Sequence, residues 1–182
     1  MPRLFFALQP EPAQLSAIAA AVLPIVQALD ARTVTAANLH LTLAFLGEVA
    51  AETIPGLLRA AARTKPPPIR LSLTHLDCWA ESRVLCLLPD DSPGLQAATR
   101  LAQGVDVAAR TAGIAPDQRP FRAHVTVARK VSAAARARRW PEQLPVPLPF
   151  TADGFVLMES TRETEGERYR AIHAWPAAPT DM

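Results

Sequence analysis

A seven-residue pattern occurs twice in this chain, as Asn38-Leu39-His40-Leu41-Thr42-Leu43-Ala44 and as Arg122-Ala123-His124-Val125-Thr126-Val127-Ala128. Both copies read His, aliphatic, Thr, aliphatic, Ala, which is the period-two alternation of a half-buried strand. Residues i and i+2 of a strand share a face. Each copy therefore sets an imidazole beside a hydroxyl on one side, while Leu39, Leu41 and Leu43, or Val125 and Val127, turn to the core. With 13 threonines in 182 residues, two of four histidines meeting a threonine two places on is about a 3% accident. A fold for this chain must bury two equivalent strands and leave one face of each open.

The rest of the chain supplies partners for such strands. Arg3 to Leu8 reads as a short buried strand, and Pro12 to Leu29 has helical spacing that Pro24 is expected to kink or split. Leu39 to Leu46 is a strand ending at Gly47, and Glu52 to Arg63 a helix with Pro55 in its first turn. After Pro66-Pro67-Pro68, Ile69 to Thr74 alternates as a strand and Val84 to Leu88 is its hairpin partner. Ser92-Pro93 starts the clearest helix, and Gly113 stands where a C′ glycine belongs. Phe121 to Ala128 is a further strand, Val131 to Trp140 a short basic helix, and Pro141 to Pro149 an extended connector. Phe155 to Met158 and Tyr169 to Trp175 are strands around a polar turn at Thr161 to Glu167. Repeated hairpins favour a largely antiparallel α+β fold over a doubly wound parallel sheet.

Composition restricts the partners. No apolar run approaches the roughly 20 residues of a membrane span, and Met1 to Phe6 lacks the pattern of a signal peptide. A soluble, cytoplasmic, monomeric protein is expected, with no membrane partner. The net charge of +2 averages over a basic segment from Arg119 to Arg139 that contains no Asp or Glu, a local field able to attract phosphate. Cys78 and Cys86 form neither a C-x-x-C pair nor a zinc array. They flank a hairpin where a cross-strand contact is open to them, and free buried thiols are the expectation in a reducing compartment.

Two imidazoles facing one pocket suit general acid and base catalysis near neutral pH, and flanking hydroxyls suit the non-bridging oxygens of a phosphate. Together they describe in-line attack on a phosphodiester in which one histidine takes a proton from water and the other protonates the leaving oxygen. A metal site would want a third ligand that neither motif carries, so no metal and no cofactor are expected. There is no G-x-S-x-G elbow, P-loop or G-x-G-x-x-G. A rival from another class is a non-catalytic RNA- or nucleotide-binding module using the same pocket. His75 and His173 lack the threonine and read as structural or surface residues.

The two motifs, the N-terminal Arg3-Leu4-Phe5-Phe6-Ala7, the run Phe45-Leu46-Gly47-Glu48-Val49 and the pair Ala128-Arg129 resemble the 2H phosphoesterase superfamily, and within it the RNA 2′,3′-cyclic phosphodiesterase or 2′-5′ RNA ligase family. Ser160 and Tyr169 resemble its closing hairpin, while Ala123 stands where the family commonly has proline. The resemblance implies one domain over residues 1–182, made of two interleaved pseudo-twofold lobes with mostly antiparallel sheets lining a central cleft and helices outside. It implies metal-independent hydrolysis of RNA ends or nucleotides bearing a 2′,3′-cyclic phosphate to 2′-phosphates, with 2′-5′ ligation as a side or reverse reaction. Action on 2′-5′ oligonucleotides or small cyclic nucleotides is the alternative within the superfamily. Carried over by motif, His40 and His124 would be catalytic, with His124 as base and His40 as acid. Thr42, Thr126 and Arg129 would bind phosphate, and Phe5 and Tyr169 would contact a base. Arg129 is five residues from His124, so strict alternation places it on the wrong face unless a bulge or strand end turns it inward.

Overall fold

The computed structural model describes residues 1–163 and 166–178. Among these, nine strands form one sheet: β1 (Arg3–Leu8), β2 (Arg32–Thr33), β3 (Leu41–Glu48), β4 (Ile69–Trp79), β5 (Val84–Pro89), β6 (Val125–Arg129), β7 (Glu142–Ala152), β8 (Gly154–Glu163) and β9 (Gly166–Pro176). The helices are α1 (Pro12–Ala28), α2 (Ile54–Ala61), α3 (Pro93–Thr111) and the single turn α4 (Ala133–Arg136). The strand order is β7-β4-β5-β6-β3-β1-β8-β9, with β2 beside β6, and the pairings are antiparallel. This is the expected α+β class.

The order is symmetric about its middle. β1 connects through α1 to β3, and β5 connects through α3 to β6, so each half carries a strand–helix–strand unit ending in one His-x-Thr strand. The halves meet where Leu41 pairs with Val125. α1 buries Leu15, Ile18, Val22 and Val26, and α3 buries Leu101, Val105 and a row of alanines, all against Leu4, Phe6, Leu8, Leu41, Leu43, Val125 and Val127. The opposite face of the sheet carries a separate small cluster, Phe5, Ala7 and Met158, with Phe45, Val156 and Tyr169 against it. β1 is buried on both faces because its alternate residues serve both clusters, which is why it reads as a continuous apolar run. Helices seal one face and leave the other to form the cleft.

Several elements differ from expectation for identifiable reasons. α1 runs unbroken through Pro24, whose exposed ring needs no space in the core. α2 spans eight residues, Ile54–Ala61, and the basic helix shrinks to α4, capped by the Ser132 hydroxyl accepting from the Ala135 N–H. β3 continues through Gly47, at φ +70°, to Glu48. The supposed connector Pro141 to Pro149 lies largely in β7, the edge strand beside β4. Proline is tolerated at an edge, and Pro145 and Pro147 fall in an irregular stretch where the register jumps from Leu73↔Leu148 to His75↔Gln143. β8 and β9 extend into the expected turn at Thr161 to Glu167, whose tip at 164–165 lies outside the described residues. α3 is as expected, with the Ser92 hydroxyl accepting from the Leu95 N–H at 3.3 Å and Gly113 at φ +79°. Among the described residues no helix is long and apolar enough to cross a membrane.

Two glycines make contrasting predictions. Gly154, at φ +140°, begins β8 so close to β9 that an added Cβ would lie 2.1 Å from the Trp175 carbonyl oxygen. Gly154→Ala should lower stability by about 2 kcal/mol or more, read as a drop in the urea midpoint at unchanged m-value. Gly56, within α2, has open space where a Cβ would go, so Gly56→Ala should raise the midpoint by the equivalent of about 0.5 kcal/mol.

Candidate active site

Each histidine stands one residue before its strand, a shift from the in-strand placement expected for His40 and His124. Leaving the ladder lets each ring turn back on its own chain. His40 Nδ1 lies 2.8 Å from the Asn38 carbonyl oxygen, and His124 Nδ1 lies 2.7 Å from the Arg122 carbonyl oxygen. A carbonyl oxygen only accepts, so both rings carry hydrogen on Nδ1, and a neutral ring so held presents Nε2 as an acceptor. Leu41 and Val125, buried partners across the seam, point into the core. The pleat then turns His40, Thr42, His124 and Thr126 to the other face, with His40 across from Thr126 and Thr42 across from His124. His40 Nε2 lies 3.1 Å from Thr42 Oγ1.

The two imidazoles have different walls. His40 contacts Phe5 and Tyr169, both at 4.9 Å between ring centroids, and those rings contact each other edge-on at 5.2 Å. The Tyr169 backbone N–H donates to Asn38 Oδ1 at 3.3 Å, tying β9 to the segment that holds His40. Phe5 is 3% exposed, so it supports His40 and offers no open face to a base, contrary to the expectation of a base contact. Tyr169 is half-buried.

His124 packs on Trp79 at 4.4 Å. The Arg122 guanidinium lies over the same indole at 4.7 Å. Asp77 Oδ2 accepts from Trp79 Nε1 at 3.0 Å and from Arg122 at 2.8 Å. This carboxylate thereby holds both the indole behind His124 and the residue whose carbonyl orients it. Asp77, Trp79 and Arg122 were not singled out from the sequence as site residues. The available signal was that Asp77 and Trp79 are two apart on one face of a hairpin strand.

Arg129 reaches the cleft by way of a bulge. Between β5 and β6 the register jumps from Cys86↔Thr126 to Leu85↔Ala128, so Val127 is the extra residue and the alternation resets after it. Val127 and Ala128 are both buried, and the Arg129 guanidinium donates to the Tyr169 hydroxyl at 3.1 Å. Much of the surrounding basic segment is occupied: Arg119 pairs with Asp117, Arg122 with Asp77, and Arg138 with Glu142. The acid-free stretch is thus partly neutralised by acids from elsewhere in the sequence.

Burial is the main cause that pushes the His124 pKa below its ordinary 6.5, and the cations Arg122, Arg119 and Arg129 add to it against the opposing Arg122 carbonyl bond. Cys86 Sγ lies 3.8 Å from Thr126 Oγ1, and burial pushes the thiol up to about 12. Cys86 pairs with Asp77 and Cys78 with Leu85, so the two free cysteines are not cross-strand neighbours. His75 bonds to the Thr74 hydroxyl at 2.9 Å, and exposed His173 packs on Trp175.

A sheet folded about a seam, with two histidines and two threonines on its open face, defines a phosphoesterase of the 2H class. The family described as LigT-like phosphoesterase matches residues 7–86 and 89–169, one match per motif, and the chain belongs to that family. The RNA 2′,3′-cyclic phosphodiesterase of Escherichia coli K12 is 33% identical over 149 residues, covering 79% of this chain and 78% of that one. The crystal structure of E. coli LigT in apo form superposes with a TM-score of 0.82 at 31% identity, covering 98% and 99% of the two chains. E. coli LigT complexed with 3′-AMP gives 0.81 at 29% identity, over 98% and 100%.

Two outcomes follow. The Arg122→Gln change removes a positive neighbour, so the His124 pKa should move up toward 6.5 in an NMR titration. Cys86 is fully buried and burial pushes its thiol up to about 12, so it stays protonated at pH 8. It should therefore resist alkylation in the native protein and react fully once unfolded in urea, as read by mass spectrometry.

Proposed function

We propose that this chain hydrolyses terminal 2′,3′-cyclic phosphates on RNA or nucleotides to 2′-phosphates, using protein side chains alone. The observation that carries the reading is the pair of Nδ1-anchored imidazoles, His40 and His124, on one sheet face with a threonine hydroxyl across from each. The name of the E. coli relative and the 3′-AMP bound by E. coli LigT support the substrate class.

In this scheme His124, held neutral by burial and its arginine neighbours, takes a proton from water on Nε2 as the water oxygen attacks phosphorus. The bond from phosphorus to O3′ breaks, and His40 delivers the proton on its Nε2 to that oxygen. The ring-opened 2′-phosphate remains. Thr42 and Thr126 donate to the non-bridging oxygens, and Arg129, poised from the Tyr169 hydroxyl, stabilises the charge that builds on them. Opening a strained five-membered ring suits a site without the charge of two metal ions. When a 5′-hydroxyl of a second RNA end takes the place of water, it gives its proton to His124 and attacks phosphorus, the bond to O3′ breaks and His40 protonates that oxygen, so the same path joins the two ends through a 2′-5′ phosphodiester as a side activity.

His40→Ala and His124→Ala should each cost about 10²- to 10⁴-fold in kcat on a nucleoside 2′,3′-cyclic phosphate with EDTA present. The product should be the 2′-phosphate by chromatography against both isomers. Because the base must be neutral, kcat/KM should fall as pH drops through the lowered His124 pKa, placing the acidic limb below 6.5. Near-native rates in both variants would overturn the histidine mechanism, and salt-dependent RNA binding without any hydrolysis by the wild type would replace the reading with a binding module.

A further inference from the structure

The open face of the sheet does not end at Phe5. Along β1, Arg3 lies two residues before Phe5 and on the same side, because Leu4 and Phe6 point into the main core while Phe5 and Ala7 form the cleft-side cluster. Cα partners across antiparallel strands share a face. Arg3 pairs with Ser160 of β8 and Glu48 of β3, and Ser160 pairs with Tyr169 of β9. A row of Tyr169, Ser160, Arg3 and Glu48 thus runs beside the Phe5–His40 contact. A groove of about 440 Å³ opens along it, lined by Arg3, Gly47, Glu48 and Ser160. Gly47, at φ +70°, lines it without a side chain. Among the described residues Arg3 forms no ion pair with its partner Glu48. Its guanidinium carbon instead lies 5.5 Å from the centre of the Phe45 ring.

We propose that this groove is a second nucleotide subsite that takes the ribose and phosphodiester of the residue preceding the cyclic-phosphate end; the proposal rests on the RNA-end reading above. Its chemistry is mixed in the way such a unit requires. Arg3 is a fixed cation with several donors for a phosphodiester, Ser160 adds a hydroxyl, and the exposed Glu48 carboxylate accepts from a ribose hydroxyl. A bare anion gains little where Glu48 shares the space with Arg3, whereas a ligand with both phosphate and hydroxyls satisfies both. Arg3 lies four residues, about 13 Å of strand, from Ala7, the partner of Thr42, and its guanidinium leans back over Phe45, so a chain whose terminal phosphate lies between the histidines runs toward Arg3 with its preceding unit. Tyr169 borders both places, contacting Phe5 and His40 on one side and pairing with Ser160 on the other.

The test compares a dinucleotide ending in a 2′,3′-cyclic phosphate with a nucleoside 2′,3′-cyclic phosphate, on wild type, Arg3→Gln and Glu48→Gln. The ratio of the two kcat/KM values, dinucleotide over nucleoside, should fall about tenfold in Arg3→Gln, the order expected for one charge-assisted contact. Glu48→Gln should lower the same ratio by a smaller factor. Affinity for the dinucleotide 2′-phosphate product, measured by calorimetry, should fall in parallel, whereas inorganic phosphate should not compete for the groove. A ratio unchanged in both variants, with product affinity also unchanged, overturns the subsite while leaving the RNA-end reading intact. Absence of hydrolysis of both substrates by the wild type overturns that reading and the subsite with it.

Discussion

Leu41 and Val125 join β3 to β6, and both side chains are wholly buried. Because alternate residues of a strand face opposite ways, burying this one pair forces the residues on either side of each, His40 and Thr42, His124 and Thr126, onto the opposite face. The helices seal the Leu41/Val125 face, so the four polar groups have nowhere to go but the cleft. The register also crosses them, setting each imidazole against the other strand's threonine. A slip of one residue at this seam would bury all four groups and expose the two aliphatics, a change opposed by both polar desolvation and lost apolar burial.

The seam alone would not orient the imidazoles. Each ring is anchored by its Nδ1 to the carbonyl oxygen two residues earlier, a bond available only because the chain has not yet entered the ladder at that point. An oxygen engaged in strand pairing would still have a lone pair, but the ring would project across the pleat instead of folding back. Starting both strands one residue after the histidine therefore serves tautomer control. This accounts for a boundary that periodicity placed earlier at both sites.

The histidines and threonines were legible because their relation is local: i and i+2 on a strand is a statement that needs no fold. The helix α3 was legible for the same reason, from Ser92, Pro93 and Gly113. What could not be read depends on neighbours distant in sequence. Asp77 meets Arg122 across 45 residues, and no spacing rule links a carboxylate on β4 to a carbonyl before β6. Arg129 lay on the wrong side of an alternation that holds until Val127 bulges, and that bulge is a property of how β5 pairs with β6. The prolines of Pro141 to Pro149 suggested chain outside the sheet, because a sequence does not say whether a strand is at an edge. The basic segment contains no acid, yet Arg119 and Arg138 meet Asp117 and Glu142 just beyond its two ends, and only Arg122 finds its acid, Asp77, through the fold.

The duplication equalises backbone and leaves the walls unequal, and in the proposed scheme that inequality is what separates acid from base. Two identical imidazoles would titrate together and leave neither role secure at neutral pH. Here the His40 ring contacts Phe5 and Tyr169, whereas half-buried His124 packs on Trp79 with Arg122, Arg119 and Arg129 near enough to disfavour a second positive charge. Both effects push His124 toward the neutral form, the one a base needs. Asp77 strengthens the asymmetry without cancelling it. Its carboxylate is spent on Trp79 Nε1 and Arg122, so it fixes the wall while leaving His124 with a carbonyl partner rather than a carboxylate, which would have raised the pKa and favoured an imidazolium. Pairs of like groups are separated into donor and acceptor by their surroundings, and in this fold the surroundings come from the outer strands, β4 on one side and β9 on the other.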